Sequence, residues 1–499
     1  MTAMSLANAA AIAQSGLASV TTEIATLSRN ISGANDTSVY SRKIANVVST
    51  ASGSQVTSIS RASSQAVFEN VLNATSAIAA EDAVSTGLEA LATTVGDVAS
   101  AAGADATSTA TSPAALISRL SDALQYYSGS PSDMTAAANV VSAANALARG
   151  LNQGSAAIQQ ARATADSDIA AAVSDINSQL AQFQEVNEKI IAATAVGKDS
   201  TDLQDQRDTI LKQISANIGI STVTAGNGDM SLYTDSGVTL FQGGRARTVS
   251  FTPTTTYVTA TVGQAVYVDG VAITGATATM AIASGKIAGL ATIRDAVAVT
   301  YQAQLDGVAS ALITAFRESD QAAVGPDLPG LFTTASATAI PSSAAGLASA
   351  IIVNAAVDPS QGGDLTLLRD GGIADPSGTD YTYNTSGAAS FAGRISELID
   401  NLSATQSFSS SGSLTTSASV GGYAAASVSW LEAQRSAASS RSSYQGALLS
   451  TASTALSNAT GVNINDEMSK MLDLEQSYAA SAKLLSSIND MFNALLSGI

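Results

Sequence analysis

The sequence predicts a mainly α, elongated, multidomain protein with β insertions. Three observations lead there. Long apolar stripes at helical spacing occupy both ends of the chain. Aromatic residues make up only 4% and charged residues 12% of the 499, while Ala, Ser and Thr abound. Such a composition suits long helices packed closely through small side chains better than one bulky core. Finally, the hydrophobic period changes to two between about residues 220 and 282.

The elements follow in chain order. Leu6, Ala10, Ala13, Leu17, Val20, Ile24, Leu27 and Ile31 step by four and three residues, which is the seam of a coiled coil. At about 1.5 Å per residue the stripe is about 38 Å long, and so narrow a seam needs a partner helix. Residues 32–36 have turn composition, and Ile44, Val47 and Ile59 fall in a stretch that could be extended. Residues 1–65 therefore read as a coiled-coil helix plus an extended linker. Residues 66–103 and 113–150 read as two helical stretches, with Pro113 suiting a first turn and Gly150 a stop. A longer periodic segment runs through Ile169, Val173, Ile176, Leu180, Phe183, Asn187 and Ile190, where Asn187 is a polar seam residue able to fix register. Residues 197–200 break it, and Asp202-Leu203-Gln204-Asp205-Gln206-Arg207-Asp208 leads into another helix. Together 66–219 reads as part of a helical bundle.

Residues 220–285 read as a β-rich insertion holding one small antiparallel sheet, with strand-like runs at 230–234, 238–241, 248–251, 257–262, 265–268 and 271–273 separated by Gly-rich turns. Residues 286–323 return as helix. Residues 324–390 read as a small β-rich or mixed outer domain. Residues 391–460 rejoin the helical bundle, with the Ser/Thr/Gly tract at 407–422 as a flexible join and Trp430 packed between helices. Residues 461–499 form the last helix, capped by Asn465 or Asp466. Its broad apolar face comprises Met468, Met471, Leu472, Tyr478, Leu484, Leu485, Ile488, Met491, Phe492, Leu495 and Leu496.

Composition also bounds the chemistry. The net charge is -18 and no Lys/Arg-rich run exists, which argues against nucleic acid and anionic membrane as partners. The chain has no Cys and no His, removing disulfides, thiol nucleophiles and the commonest general base. Asp358, Asp364, Asp370, Asp375 and Asp380 lie among Gly and Pro, but their spacing does not match an EF-hand loop. No catalytic, metal or cofactor residue is expected, and the chain is not expected to be an enzyme. With no run of about 20 apolar residues and no basic, continuously apolar leader, a soluble chain without membrane insertion is expected, one that would leave the cell, if at all, without signal cleavage.

Arg29-Asn30-Ile31-Ser32-Gly33-Ala34-Asn35 through Tyr40-Ser41-Arg42 resembles the N-terminal signature of the flagellar axial proteins, the rod, hook and hook-associated family. Val39 stands where the family usually has Gly, and Arg29 where it has Asn. Gly461-Val462-Asn463-Ile464, Glu467, Gln476, Tyr478, Ala480, Ala482, Lys483, Leu485, Met491, Phe492, Leu495 and Leu496 resemble the family's C-terminal signature almost position by position. The 202–208 segment, the Gly330-Leu331-Phe332 loop, Ile351-Ile352-Val353-Asn354 and Asp358-Pro359 resemble the hook-associated members.

The resemblance implies a ring of subunits joining the flagellar hook to the filament and located outside the cell after export through the flagellar type III apparatus. Its implied partners are other copies of the chain, the hook protein, the second junction protein and an export chaperone. Another axial subunit, or a secreted coiled-coil adhesin, is the alternative. The expected assembly interface is Leu6, Leu17, Val20, Ile24, Leu27, Asn30, Ile31, Asn35, Tyr40 and Arg42 on one side. Met468, Met471, Leu472, Tyr478, Leu485, Ile488, Phe492, Leu495 and Leu496 form the other. The two terminal helices should pair antiparallel. Burying their stripes offsets only part of the entropy of ordering both, so the pair is expected to be marginal alone and to order against neighbouring copies.

Overall fold

The structure, a computed structural model, describes residues 2–36, 39–51, 53–92, 111–322 and 324–497. The heptad-spaced stretch is helix α1 (Thr2–Gly33). The chain does not then run on as a simple extended linker. Strands β1 (Lys43–Thr50) and β2 (Gly53–Arg61) form an antiparallel hairpin with an irregularity at Asn46/Val47. Its Val, Ile and Thr residues suit a half-exposed pleated surface. The hairpin folds back on α1, where the Ser19 hydroxyl donates to Ser54 O at 2.8 Å. Helix α2 (Gln65–Ala92) follows, and the expected helical stretch beyond Ala92 lies outside the described residues.

Pro113 opens α3 (Pro113–Gly129), and Ser112 Oγ caps it by accepting from Ala115 N. The single helix expected over 113–150 is two. The chain breaks at residues 130–133, where Pro131 disfavours helix at the residue before it and supplies no N–H. Asp133 then caps α4 (Met134–Ala195) by accepting from Thr135 N and Ala136 N. Gly150 does not stop this helix. A Cβ there would come within 2.6 Å of Leu116 Cδ1, so its role is to let α3 approach. With 62 residues, α4 is the longest helix described, about 93 Å at 1.5 Å per residue. After the break at 197–200, α5 (Thr201–Asn217) packs back against it.

Residues 220–282 form two antiparallel sheets rather than one. The first contains β3 (Ile220–Thr224), β4 (Met230–Thr234), β5 (Thr239–Gln242) and β6 (Arg245–Ala246); the second contains β7 (Val249–Ser250), β8 (Tyr267–Val268) and β9 (Val271–Ala272). The run 257–262 is not a strand. Side chains take the place of a ladder: Arg162 donates to Thr261 O at 2.5 Å, and Tyr257 Oη donates to Asp166 Oδ1 at 2.7 Å. Asp166 also receives Arg294 Nη1 at 2.6 Å, tying this loop to α4 and to the next helix. That helix comprises α6 (Lys286–Thr292), a π turn at Ile293–Val297 and α7 (Ala298–Ala315).

Strand β10 (Phe332–Thr334) pairs with β11 (Ile351–Val353), with α8 (Leu347–Ala350) between them and α9 (Leu367–Asp370) after. Little else in 324–390 is β structure, and its Leu331, Phe332, Val357 and Leu368 are buried in the core shared with α3, α4 and α7. The stretch therefore does not stand off as an outer β domain. After α10 (Gly393–Ser403), the Ser/Thr/Gly tract is folded rather than a flexible join. Its β12 (Gln406–Ser407) pairs with β13 (Ser417–Ala418), and Phe408 stacks on Tyr423 with ring centroids 3.8 Å apart. Helices α11 (Val420–Thr460) and α12 (Ile464–Ser497) complete the chain. Trp430 stacks on Tyr301 of α7 at 6.5 Å. The cap of α12 is Asn463, whose Oδ1 accepts from Asn465 N, and not Asn465 or Asp466, which are already helical.

Two apolar cores result. One gathers α3, the first half of α4, α7, α10 and the start of α11; the other gathers α2, the second half of α4, α5, both sheets and α6. Helix α4 is the spine through both. Helix α11 runs antiparallel along α2, with Arg441 Nε 2.9 Å from Glu81 and Ser442 Oγ donating to Asp82. Helix α12 packs on α1 in the same sense, its first turn meeting the last turns of α1.

Candidate assembly site

The α1–α12 pair does not use up its own apolar surface. On α1, Leu27 is buried, while Leu6, Leu17, Val20, Ile24 and Ile31 are half-buried. On α12, Ile488 is buried and Met471, Leu485 and Phe492 are half-buried. Met468, Leu472, Tyr478 and Leu496 are exposed, Leu472 by 57% and Leu496 by 70%. The Leu495 side chain lies outside those described. One narrow helix covers one stripe of a broad face, leaving the remainder of α12 facing solvent.

At the root of this pair three distant segments meet. Asn30, 0% exposed, is hydrogen-bonded on both sides of its amide. Its Nδ2 donates to Lys43 O and to Glu467 Oε2, both at 2.8 Å. Its Oδ1 accepts from Lys43 N at 2.8 Å and from the Tyr40 hydroxyl at 3.0 Å. Glu467, 1% exposed, also accepts from Arg42 Nε at 2.8 Å. The backbone closes the joint: Arg42 N donates to Thr460 O at 2.8 Å, and Ala62 N to Arg42 O at 2.7 Å. One amide thus clamps α1, β1 and α12 together.

The acids of α5 supply the other half. Asp202, Asp205 and Asp208 recur every third residue, close to one face of the helix. Lys43, its ammonium buried, pairs with Asp202 and lies 3.7 Å from Asp205 and 4.5 Å from the Tyr40 ring centroid. Arg61 Nη1 reaches Asp205 at 2.9 Å and Asp208 at 2.6 Å. Arg29 reaches Asp199 at 3.1 Å and Asp202 at 2.7 Å. The N-terminal segment is therefore riveted to the body by cations whose partners lie more than 140 residues away.

These surroundings move the titrations. Burial pushes the Tyr40 phenol up to about 12, Asp205 and Glu467 push it the same way, and only Arg29 pulls against them. Burial pushes Lys43 down, and Asp205 pulls it back. Burial also works against Arg61, yet Asp208 and Asp205 hold it above its ordinary value. For Asp199, burial would raise the carboxyl, but the Thr201 N–H and hydroxyl and the Arg29 guanidinium hold it below the usual range.

Of the residues expected from sequence, Asn30, Tyr40 and Arg42 come together here. Asn35 is exposed in the turn after α1 and takes no part in the clamp. Lys43, Arg61, Glu467 and the α5 acids were not expected at the interface. The available signal was charge: basic residues at 29, 43 and 61 face an acidic series at 199, 202, 205 and 208, and Arg42 faces Glu467. The arrangement positions and clamps two helices.

Comparison with known proteins agrees with the signatures. Residues 105–332 match the family model described as the flagellar hook-associated protein FlgK helical domain, and residues 453–498 match the flagellar basal body rod FlgEFG protein C-terminal model. The chain is 30% identical over 128 residues to flagellar hook-associated protein 1 of Salmonella typhimurium, covering 25% of this chain and 23% of that protein. The same figures hold for the Salmonella typhi protein. The match thus spans about a quarter of those relatives. Among solved structures, the flagellar hook junction protein FlgK from Burkholderia pseudomallei aligns with a TM-score of 0.41 and 21% identity over 53% of this chain and 46% of that one.

Proposed function

The chain belongs to the flagellar hook-associated proteins, and from that premise we propose that it is a structural subunit of the junction between hook and filament, assembled as a ring through its terminal helices. The observation that carries this reading is the apolar face of α12, which α1 covers only in part. In a ring, equivalent α1–α12 pairs from neighbouring copies would bury Met468, Leu472, Tyr478 and Leu496. The clamp at Asn30 and Glu467 sets where that pair leaves the body. Under this reading residues 1–65 and 461–499 form the assembly unit and the segments between them form the body. Export through the flagellar type III apparatus, an export chaperone holding α12, the hook protein on one side and the second junction protein on the other are parts of the same proposal. No described helix is long and apolar enough to cross a membrane.

Deleting the gene and viewing the cells by electron microscopy tests the role. The expected result is intact hooks without filaments, with filament protein lost to the medium. Cells with normal filaments would reject it.

A further inference from the structure

The chain has no Cys, so no disulfide can fasten the N-terminal segment to the body. Lys43 stands at that fastening point. Its backbone is held on both sides by Asn30, which fixes where the side chain starts. The side chain is 0% exposed and ends against α5, in contact with Asp202 Oδ1 and 3.7 Å from Asp205 Oδ2. The Tyr40 ring covers the same nitrogen at 4.5 Å. An ammonium carries three donors and is ordinarily satisfied by several acceptors. No hydrogen bond to a backbone carbonyl or hydroxyl engages Nζ among the described residues, so it meets only the two carboxylates. Burial favours the neutral amine, which is the nucleophilic form. Both carboxylates are held in place from the far side. Asp202 Oδ2 accepts from Arg29 Nη2 at 2.7 Å, and Asp205 Oδ1 accepts from Arg61 Nη1 at 2.9 Å. The Asp202 side chain is 71% exposed, which opens a way out for a small leaving molecule.

We propose that Lys43 and Asp202 condense into an intramolecular isopeptide bond, a covalent link between the N-terminal segment and α5. Lys43 Nζ attacks Asp202 Cγ. A new C–N bond forms, and the bond from Cγ to Oδ1 breaks. Of the three ammonium protons, one stays on the amide nitrogen and two pass through Asp205 to Oδ1, which leaves as water. Oδ2 remains as the amide carbonyl, and the Arg29 guanidinium stabilises the charge that gathers on it during the attack. The balance needs no oxidant, activated ester or cofactor. In bulk water an amine and a carboxylate stay apart, but two groups held in contact react with an effective concentration on the order of 10⁵–10⁸ M. The bond does not depend on the junction role; in any assembly it would hold the clamp shut under load.

Intact-mass measurement of the full chain, purified folded and then denatured, tests this. The linked chain weighs one water less than its sequence requires, and protease digestion yields a branched peptide joining Lys43 to Asp202. Lys43→Arg, which keeps the charge but cannot form the bond, restores the full mass. Asp205→Asn retains both reacting groups and removes the proton carrier, so the linked fraction falls at least tenfold. A wild-type mass equal to that of the sequence overturns the proposal whatever the variants do. So does a water loss that persists in Lys43→Arg, or a branched peptide that lacks Asp202. The decisive reading is made on the wild type, so it stands even if a variant fails to fold.

Discussion

At the scale of single residues the account rests on Asn30. Its amide donates twice and accepts twice inside a buried site, so no apolar replacement can satisfy the groups left behind. Asn30→Ala should cost about 2 kcal/mol of local stability, read as faster hydrogen exchange in the last turns of α1 and the first turns of α12. Asn30→Asp is the sharper probe. It keeps the shape but sets a carboxylate where Nδ2 now lies 2.8 Å from Glu467 Oε2. That variant should be more damaged than Asn30→Ala at pH 7 and should recover as acid neutralises the carboxylates. Unchanged exchange in both variants would remove Asn30 from the argument.

Asp199 makes a separate prediction about pH. Its folded carboxyl titrates below its unfolded value. The contacts with the Thr201 N–H and hydroxyl, and with Arg29, therefore contribute stability that is fully present above the ordinary carboxylate pKa of about 3.9 and is lost as pH falls through the lower folded value. Because the Arg29 side chain is 37% exposed, the ion pair's share is small, about 0–1 kcal/mol. Asp199→Asn should flatten this part of the acid-unfolding profile. The residue scale was only half legible in the sequence. The signature pointed to Asn30, Tyr40 and Arg42 because they share a short segment. It could not reveal that Lys43 and Arg61 close on acids of α5, since nothing local encodes a partner that far along the chain. Arg29, which stands where the family has Asn, has its reason in Asp199 and Asp202.

At the scale of elements, helices were the readable part, because a stripe repeating at three and four residues persists whatever the neighbours are. Glycine was harder. Gly150 carries the same local signal as a helix stop, but its function is close approach to α3, a tertiary fact. The same reasoning orders two substitutions. A Cβ on Gly289 would come within 2.2 Å of Ala80 O, a backbone atom of α2 that cannot swing aside. A Cβ on Gly150 meets only the movable end of Leu116. Gly289→Ala should therefore destabilise by about 1–3 kcal/mol in urea unfolding, and Gly150→Ala by less. Equal costs would mean that the α2–α6 approach is not a tight contact. The strand expected at 257–262 failed for a related reason: Arg162 and Asp166 of α4 satisfy that loop, and neither lies near it in sequence.

At the scale of the whole molecule, the body and the terminal pair differ in how completely they bury themselves. The body closes two apolar cores around α4, whereas α12 leaves most of one face in water. The sequence anticipated the pairing of the two ends, because both stripes were visible and antiparallel contact follows from their order. Partial coverage was also foreseeable, since a narrow seam meets a broad face. How the ends attach to the body was not, because it depends on the folded position of α5.

The central claim is that the uncovered face of α12 drives assembly at the junction, and Leu472→Asp in the flagellated cell tests it most directly. Leu472 is 57% exposed in the single subunit, so the change should leave the unfolding free energy within about 0.5 kcal/mol. The account predicts a folded, stable subunit that fails to form a junction, with cells bearing hooks and no filaments by electron microscopy. Normal filaments on cells producing only that variant would contradict it.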